Sequence, residues 1–358
     1  MSGLPALPRD IPTPALVLEI DRLRDNIGSM ARAMSIRNVA LRPHAKTHKS
    51  TDIAAMQIAE GATGLTVATL GEAENFAEAG FDDLFIAYPL WASDATAGRI
   101  ASLSQVSRLR VGVESEASAV ALARASKSLE VVLELDSGLQ RTGVKPDEVV
   151  MLARQCSDLG LRIAGVFTHG GHGYASPQST SLAAADEARC ISDAVELLAR
   201  DGFDVEVASA GSTPTALASA TGAVNEERPG IYVFYDRQQL ALSVCDIDEI
   251  AAFVMSTVVS VTDDEHFVID AGTKALAGDR AQWLEGYGAL CGFQDATVAR
   301  LWEHHGIVRS RGPETPQVGD VVAVIPNHIC TVVNLFDYYV VSAGGQVVDR
   351  WRIAARGR

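Results

Sequence analysis

The fold class the sequence predicts is α/β: a (β/α)8 barrel of the TIM type followed by a mostly antiparallel β domain. Three observations carry it. Short apolar, β-rich runs alternate with helical patterns from residue 13 to about 235, and eight such runs can be counted. No GxGxxG turn follows the first run, as a dinucleotide-binding sheet would have. From about residue 245 the rhythm changes to alternating strand-like runs with turn signals between them and little helical period. An open doubly wound sheet would use similar units, so periodicity by itself leaves that alternative open.

Taken in order, the candidate barrel strands are Ala15 to Ile20, Val39 to Pro43, Gly64 to Ala68, Asp83 to Tyr88, Arg108 to Val113, Leu129 to Asp136, Arg162 to Thr168 and Val205 to Ala210. Helical spacing between them is clearest over Asp21 to Met34, Gly71 to Ala79 and Ser181 to Asp201. The later strand-like runs are Ala252 to Val261, His266 to Ile269, Asp320 to Ile325, Thr331 to Leu335 and Tyr338 to Val341. Domain limits of 12–240 and 245–358 follow, with residues 1–11 expected to pack on the second domain.

Composition narrows the function. Of 358 residues, 47% are hydrophobic and 21% charged, enough for a sizeable core. Lys and Arg total 30 against 45 Asp and Glu, a net charge of −15 that disfavours a nucleic-acid partner. Any anionic ligand must be met by local donors. The five cysteines are scattered without CxxC spacing, which points to a reducing compartment rather than a disulfide framework. With no basic segment leading into an apolar run at the start, and no run of the roughly 20 apolar residues that spans a bilayer, a cytoplasmic enzyme without a membrane partner is expected.

In a parallel barrel, chemistry gathers at the C-terminal ends of the strands. There the sequence places His44 and Lys46, Asp136, His169, and Gly211 to Thr213. Lys46 could form an imine with an aldehyde cofactor, helped by the cationic neighbours His44, His48 and Lys49. On residue types alone a solvated basic turn explains it as well or better. Gly211-Ser212-Thr213 offers amides and hydroxyls to a phosphate, and Arg228-Pro229-Gly230-Ile231-Tyr232 offers a second tight turn with exposed amides. Either alone is an ordinary turn; two at one barrel mouth suggest a phosphate-bearing cofactor.

His169 and Tyr174 flank a glycine-rich loop that suits hydrogen bonding or stacking, and an ordinary surface loop fits equally well. Arg141 could meet a phenolic oxygen of a cofactor, or simply pair with Asp136 or Glu134. His328 and Cys330, two apart on an expected strand, would face one way and offer half of a soft metal site. A buried free cysteine beside a core histidine is the competing reading.

Taken together, Thr13-Pro14-Ala15-Leu16-Val17-Leu18, Arg42-Pro43-His44-Ala45-Lys46-Thr47-His48-Lys49, His169 to Tyr174, Gly211-Ser212-Thr213-Pro214-Thr215, Arg228-Pro229-Gly230 and Pro326-Asn327-His328-Ile329-Cys330 resemble the D-threonine aldolase and D-serine dehydratase family. The resemblance runs from about residue 12 to the C-terminus. It implies an alanine-racemase-like barrel that binds pyridoxal 5'-phosphate (PLP), followed by a D-serine dehydratase-like β domain, usually in a homodimer. It implies that Lys46 holds the cofactor aldehyde and that Arg141, His169, Tyr174, Gly211, Ser212, Thr213, Gly230, Ile231 and Tyr232 surround the cofactor. It further implies that His328 and Cys330 bind a divalent metal, with Zn²⁺ favoured over Mn²⁺ or Mg²⁺. The implied activity is that of a lyase on D-amino acids carrying a β-hydroxyl. His-x-Cys, and Gly-Ser-Thr-Pro in place of a Gly-Gly-Gly-Thr-Gly loop, resemble the dehydratase branch. Trp302-Glu303-His304-His305-Gly306 departs from the family's Glu-His-Gly by placing His304 where a glutamate is expected, which leaves the choice of substrate open.

Overall fold

The computed structural model describes residues 6–8, 10–263, 265–293, 295–312 and 316–357. These form two compact units. One gathers the chain up to Gly28, Thr47–Asp52 and Ile231–Gly357; the other gathers Ser29–Lys46 and Ile53–Gly230.

The strands, in chain order, are β1 (Ala15–Glu19), β2 (Ala40–Leu41), β3 (Leu65–Val67), β4 (Asp83–Pro89), β5 (Arg108–Val113), β6 (Glu130–Leu135), β7 (Arg162–Thr168), β8 (Val207–Ala210) and β9 (Glu226–Glu227). They continue as β10 (Ala252–Val261), β11 (His266–Ile269), β12 (Gly288–Leu290), β13 (Thr297–Leu301), β14 (Gly306–Arg309), β15 (Val321–Pro326), β16 (Tyr338–Ala343) and β17 (Gln346–Arg352). The helices are α1 (Ile20–Arg37), α2 (Thr51–Ala59), α3 (Leu70–Glu78), α4 (Asp94–Val106), α5 (Glu116–Ala125), α6 (Val149–Asp158), α7 (Ser179–Arg200), α8 (Ala216–Ser219), α9 (Arg237–Ala241), α10 (Thr273–Leu276) and α11 (Ile329–Val333).

In the barrel unit the described residues form one parallel sheet of eight strands, in the order β2-β9-β8-β7-β6-β5-β4-β3. Its two outer strands meet. Thr66 N donates to the Pro43 carbonyl at 2.9 Å and Ala45 N to the Thr66 carbonyl at 2.8 Å, so the chain leaving β2 closes the cylinder against β3. The eighth strand is not the one expected. Ala15–Glu19 pairs antiparallel with β10 and parallel with β16 in the other sheet, and Glu226–Glu227 completes the barrel instead. Ala15 to Glu19 is buried along its whole length, so it reads like any parallel-barrel strand, whereas two consecutive glutamates carry no strand signal.

Glu226 is tolerated because the base of the barrel is charged. Arg42 Nε donates to Glu226 Oε2 at 2.7 Å, and its other arm reaches Asp83 Oδ1 at 2.7 Å. Arg110 bridges Asp83 and Glu130 at 3.3 and 3.2 Å. Burial works against the Glu226 charge, but Arg42 holds its carboxyl below the usual range. Breaking such a buried pair from one side costs about 3–5 kcal/mol, because the partner is left uncompensated. Above this layer Phe85, Val132, Ala164, Phe167 and Val207 fill the interior. Phe85 and Phe167 meet edge to face, their centroids 5.1 Å apart.

The second unit is built on a nine-stranded sheet, β11-β14-β13-β12-β15-β10-β1-β16-β17, in which an additional β10 to β11 pairing rolls six strands into a small barrel. In this unit Val17, Phe253, Met255 and Ala323 pack together with Leu7, Ile11 and Cys291. Of residues 1–11, residues 1–5 and 9 lie outside the described residues. The expected strand over Thr331 to Leu335 is instead part of α11 and the turn after it. The β-branched run Thr331-Val332-Val333 looks like a strand, yet Val332 and Val333 are buried on a short helix by packing within the unit.

Candidate active site

Within the barrel unit, several expected residues are brought together at the C-terminal ends of the strands. Lys46 lies just beyond the His44 to Thr66 bridge that ends β2, and is half-buried. The solvated-turn reading fails here, since Thr47, His48, Lys49 and Ser50 are all buried. Of the basic neighbours, Lys49 Nζ donates to the Ala355 carbonyl, and His48 Nδ1 accepts from the Ser50 amide.

His169 follows β7. Burial first, then the positive charges of Lys46, Arg141 and Arg228, push its imidazole down to a pKa of about 3. It is therefore a neutral ring at any working pH, hydrogen-bonded to the Gly211 backbone. Lys46, Arg141 and Arg228 thus all act on this ring, and Arg228 also faces the carboxyls of Glu226, Glu227, Glu187 and Glu134.

Arg228 was not among the expected site residues. Its guanidinium donates to Ser209 Oγ at 2.6 Å and to the Thr168 carbonyl at 2.5 Å, and lies over the Phe167 ring at 5.3 Å. The stretch from Arg228 to Tyr232 is thus buried, not an exposed turn, with Tyr232 fully enclosed. Arg141 is exposed on the loop after β6, which is shaped by Asp136 Oδ1 accepting from the Gly138 and Gln140 amides. Tyr174 closes the short helical turn Gly171–Tyr174, where His172 Nε2 lies 3.3 Å from Asp186.

The Gly211-Ser212-Thr213 loop leaves β8 with Gly211 at φ +93°, a left-handed conformation that glycine adopts without strain. Any Cβ at Gly211 would fall 1.7 Å from Glu227 Oε2. Ser212 N donates to Thr215 Oγ1 at 3.0 Å, and Gly211 N to Glu187 Oε1 at 3.1 Å. Glu187 Oε1 also accepts from Gly170 N at 2.6 Å, tying the β7 and β8 loops together. Burial raises the Glu187 carboxyl above its usual range, and burial together with Glu187 raises Glu227 well above it. Sequence reading missed both. A signal existed for Glu187, since it interrupts the buried apolar stripe of α7 formed by Ala183, Ala184, Cys190, Ile191, Ala194 and Leu198.

These residues suit an anionic aldehyde cofactor. A lysine amine can hold the aldehyde, buried Ser212 and Thr213 beside a glycine that leaves no Cβ can hold a phosphate, and nearby cations offset its charge.

In the other unit lie Ile231, Tyr232, His328 and Cys330. His328 is the residue that precedes α11, with extended backbone at φ −137°, and Cys330 sits in the first turn. They are therefore not two positions of one strand. Their side chains still interact: burial opposes the His328 charge, but Cys330 and Asp236 hold its pKa well above the ordinary range. Cys330 Sγ lies 3.3 Å from Thr47 Oγ1. Asn327 is locked by Nδ2 donating to the carbonyls of Asp279 and Gly286 and by Oδ1 accepting from Arg237. A thiolate and an imidazole are a donor set suited to zinc. Among the described residues no group of three or more His, Cys, Asp or Glu is arranged to hold a metal, so protein ligation there would stop at two donors. His304, the departure noted above, is exposed, 3.4 Å from Lys274 Nζ.

Comparison with known proteins bears on both units. Residues 18–238 match the alanine racemase N-terminal domain, and residues 251–342 a putative serine dehydratase domain. D-threo-3-hydroxyaspartate dehydratase of Delftia sp. (strain HT23) is 35% identical over 95% of this chain and 96% of its own length. The chain belongs to the D-threonine aldolase and D-serine dehydratase family. D-threonine aldolase of Arthrobacter sp. is 31% identical over 99% of this chain and 96% of its own length. The solved Delftia dehydratase superposes with a TM-score of 0.89 at 32% identity, over 96% of this chain and 97% of that one. A variant D-threo-3-hydroxyaspartate dehydratase has also been solved in a metal-free form. As a member of this aldolase and dehydratase family, the chain is a lyase with an alanine-racemase-like fold, and the family implies PLP as cofactor.

Proposed function

We propose that this protein dehydrates and deaminates a D-amino acid bearing a β-hydroxyl, such as D-serine or D-threonine, to a 2-oxo acid and ammonia, using PLP and a divalent metal. The observation that carries this reading is the placement of the thiol. Cys330 Sγ lies 3.3 Å from the hydroxyl of buried Thr47, the residue that follows Lys46 in the chain. We assign residues 12–240 to the cofactor and 245–358 to the metal, in a cytoplasmic homodimer.

Bound PLP supplies an electron sink for charge at the α-carbon, and a metal on His328 and Cys330, preferably Zn²⁺, supplies a Lewis acid for the β-hydroxyl. Lys46 in its free amine form takes the α-proton. Gly211, Ser212, Thr213 and Gly230 would hold the phosphate, Ile231 and Tyr232 would also bind the cofactor, and Tyr174 would offer its hydroxyl. Neutral His169 presents an uncharged ring to the cofactor while Arg141 and Arg228 keep the surroundings positive.

Retro-aldol cleavage to glycine and an aldehyde is the second reading, favoured by the aldolase relative. Racemisation would need no metal. Purified enzyme fed D-serine and D-threonine should release pyruvate and 2-oxobutyrate, lose activity on chelation, and show a visible cofactor absorbance band that Lys46→Ala abolishes. Glycine without oxo acid transfers the assignment to the aldolase reading. An unchanged band in Lys46→Ala removes Lys46 from its role.

A further inference from the structure

His328 is approached from behind by a carboxylate that has no role in the reading above. Asp236 is fully buried and stands at the N-terminal end of α9, where Oδ1 accepts from Gln239 N at 2.9 Å. Its second oxygen, Oδ2, accepts from Ile329 N at 3.1 Å and lies 3.4 Å from His328 Nδ1. One side chain therefore holds the start of α9 and the amide that follows His328, and stands 3.4 Å from the His328 ring. The backbone repeats the link, since Gln238 N donates to the Asn327 carbonyl at 3.2 Å.

An imidazole has two nitrogens, and an acceptor facing one of them keeps the proton there. With Asp236 facing Nδ1, the lone pair of His328 is directed through Nε2. A carboxylate in this position fixes the ring's tautomer and orientation and raises its basicity as a ligand. Resting on the reading that His328 and Cys330 bind the metal, we infer that Asp236 is the positioning residue that makes Nε2 of His328 the metal-binding nitrogen.

Asp236→Asn should keep the helix cap, because Asn caps as well as Asp. With its oxygen kept on Gln239 N it turns an NH₂ toward Ile329 N and the His328 ring, and it carries no charge. Asp236→Ser retains a capping oxygen but withdraws the group that faces the ring. Zinc affinity, measured on metal-stripped, PLP-loaded protein by competition with a chelator, should fall about 10–100-fold in both variants while the cofactor band stays unchanged. Cys330→Ala serves as the control. Wild-type zinc affinity in both Asp236 variants overturns the inference. Absence of zinc binding by the wild type, or full affinity in Cys330→Ala, instead overturns the metal reading on which it rests. If neither Asp236 variant folds, ¹⁵N-histidine NMR of the zinc-loaded wild type decides: ligation through Nε2 with a proton on Nδ1 supports the inference, and ligation through Nδ1 ends it.

Discussion

Two buried carboxyl groups, Glu187 in the barrel unit and Asp236 in the other, brace the two sets of proposed ligands in contrasting ways. Asp236 spends both oxygens on backbone amides of two different segments, at 2.9 and 3.1 Å, and still lies within 3.4 Å of an imidazole. Glu187 gives one oxygen to two amides, of Gly170 and Gly211, in a setting crowded by Glu227 and Arg228. Glu227 Oε2 has no hydrogen-bond partner among the described residues. A carboxyl with donors on both oxygens is fixed in place and can orient a ring; burial and crowding raise a carboxyl pKa and favour its uncharged form. The proposed metal pair is thus braced by a carboxyl shared between two segments, and the proposed cofactor loops by shape and by carboxyls whose pKa burial raises.

The barrel half should therefore be the more sensitive to added bulk. Gly211→Ala has the largest expected effect, because alanine is strained at φ +93° and its Cβ would stand 1.7 Å from Glu227 Oε2. Strain of this kind costs about 1–3 kcal/mol, and the loop must shift to relieve the clash. PLP affinity, followed by absorbance titration, should fall about tenfold or more, one decade for each 1.4 kcal/mol, while zinc affinity is unchanged. A cofactor affinity equal to wild type would show that the loop is not built around a missing Cβ.

Next in size is Glu187. Replacing it with Leu strands the amides of Gly170 and Gly211, at about 1–3 kcal/mol for each buried donor left unpaired, whereas Gln keeps an oxygen for both. Because burial already favours the uncharged carboxyl, Glu187→Gln should stay near wild type in urea midpoint and PLP affinity, and Glu187→Leu should lose both. Equal damage from Gln and Leu would mean that Glu187 acts as an anion, and the contrast with Asp236 would collapse.

Much of this was legible in the sequence, for identifiable reasons. Strands such as Arg108–Val113 and Arg162–Thr168 announce themselves because their apolar runs are bounded by clear helices, and the loops after Arg162–Thr168 and Val207–Ala210 carry His169 and Gly211 to the same end. The exchange of Ala15–Glu19 for Glu226–Glu227 was not legible, since one buried strand reads like another and a charged strand requires a partner such as Arg42, far away in sequence. Cys330 on a helix rather than a strand depends on tertiary packing that overrides β-branched propensity. Asp236 did leave a trace. Asp236-Arg237-Gln238-Gln239 has the spacing of a helix N-terminus, but nothing local says that its carboxylate also faces His328, 92 residues later.

The smallest functional effect is expected at Glu227, where the contrast becomes a matter of pH. Its carboxyl is held well above the usual range, by burial first and then by Glu187, so the folded state keeps its proton more tightly than the unfolded chain does. Its contribution is then fully present below the unfolded carboxyl pKa of about 4.3 and is lost as pH rises through the folded value. Glu227→Gln cannot ionise, so its urea midpoint should gain on wild type progressively from pH 4 to pH 8, with cofactor affinity unchanged. A difference independent of pH would mean that Glu227 titrates as an ordinary surface acid, and the brace around Gly211 would have to be held by Glu187 alone.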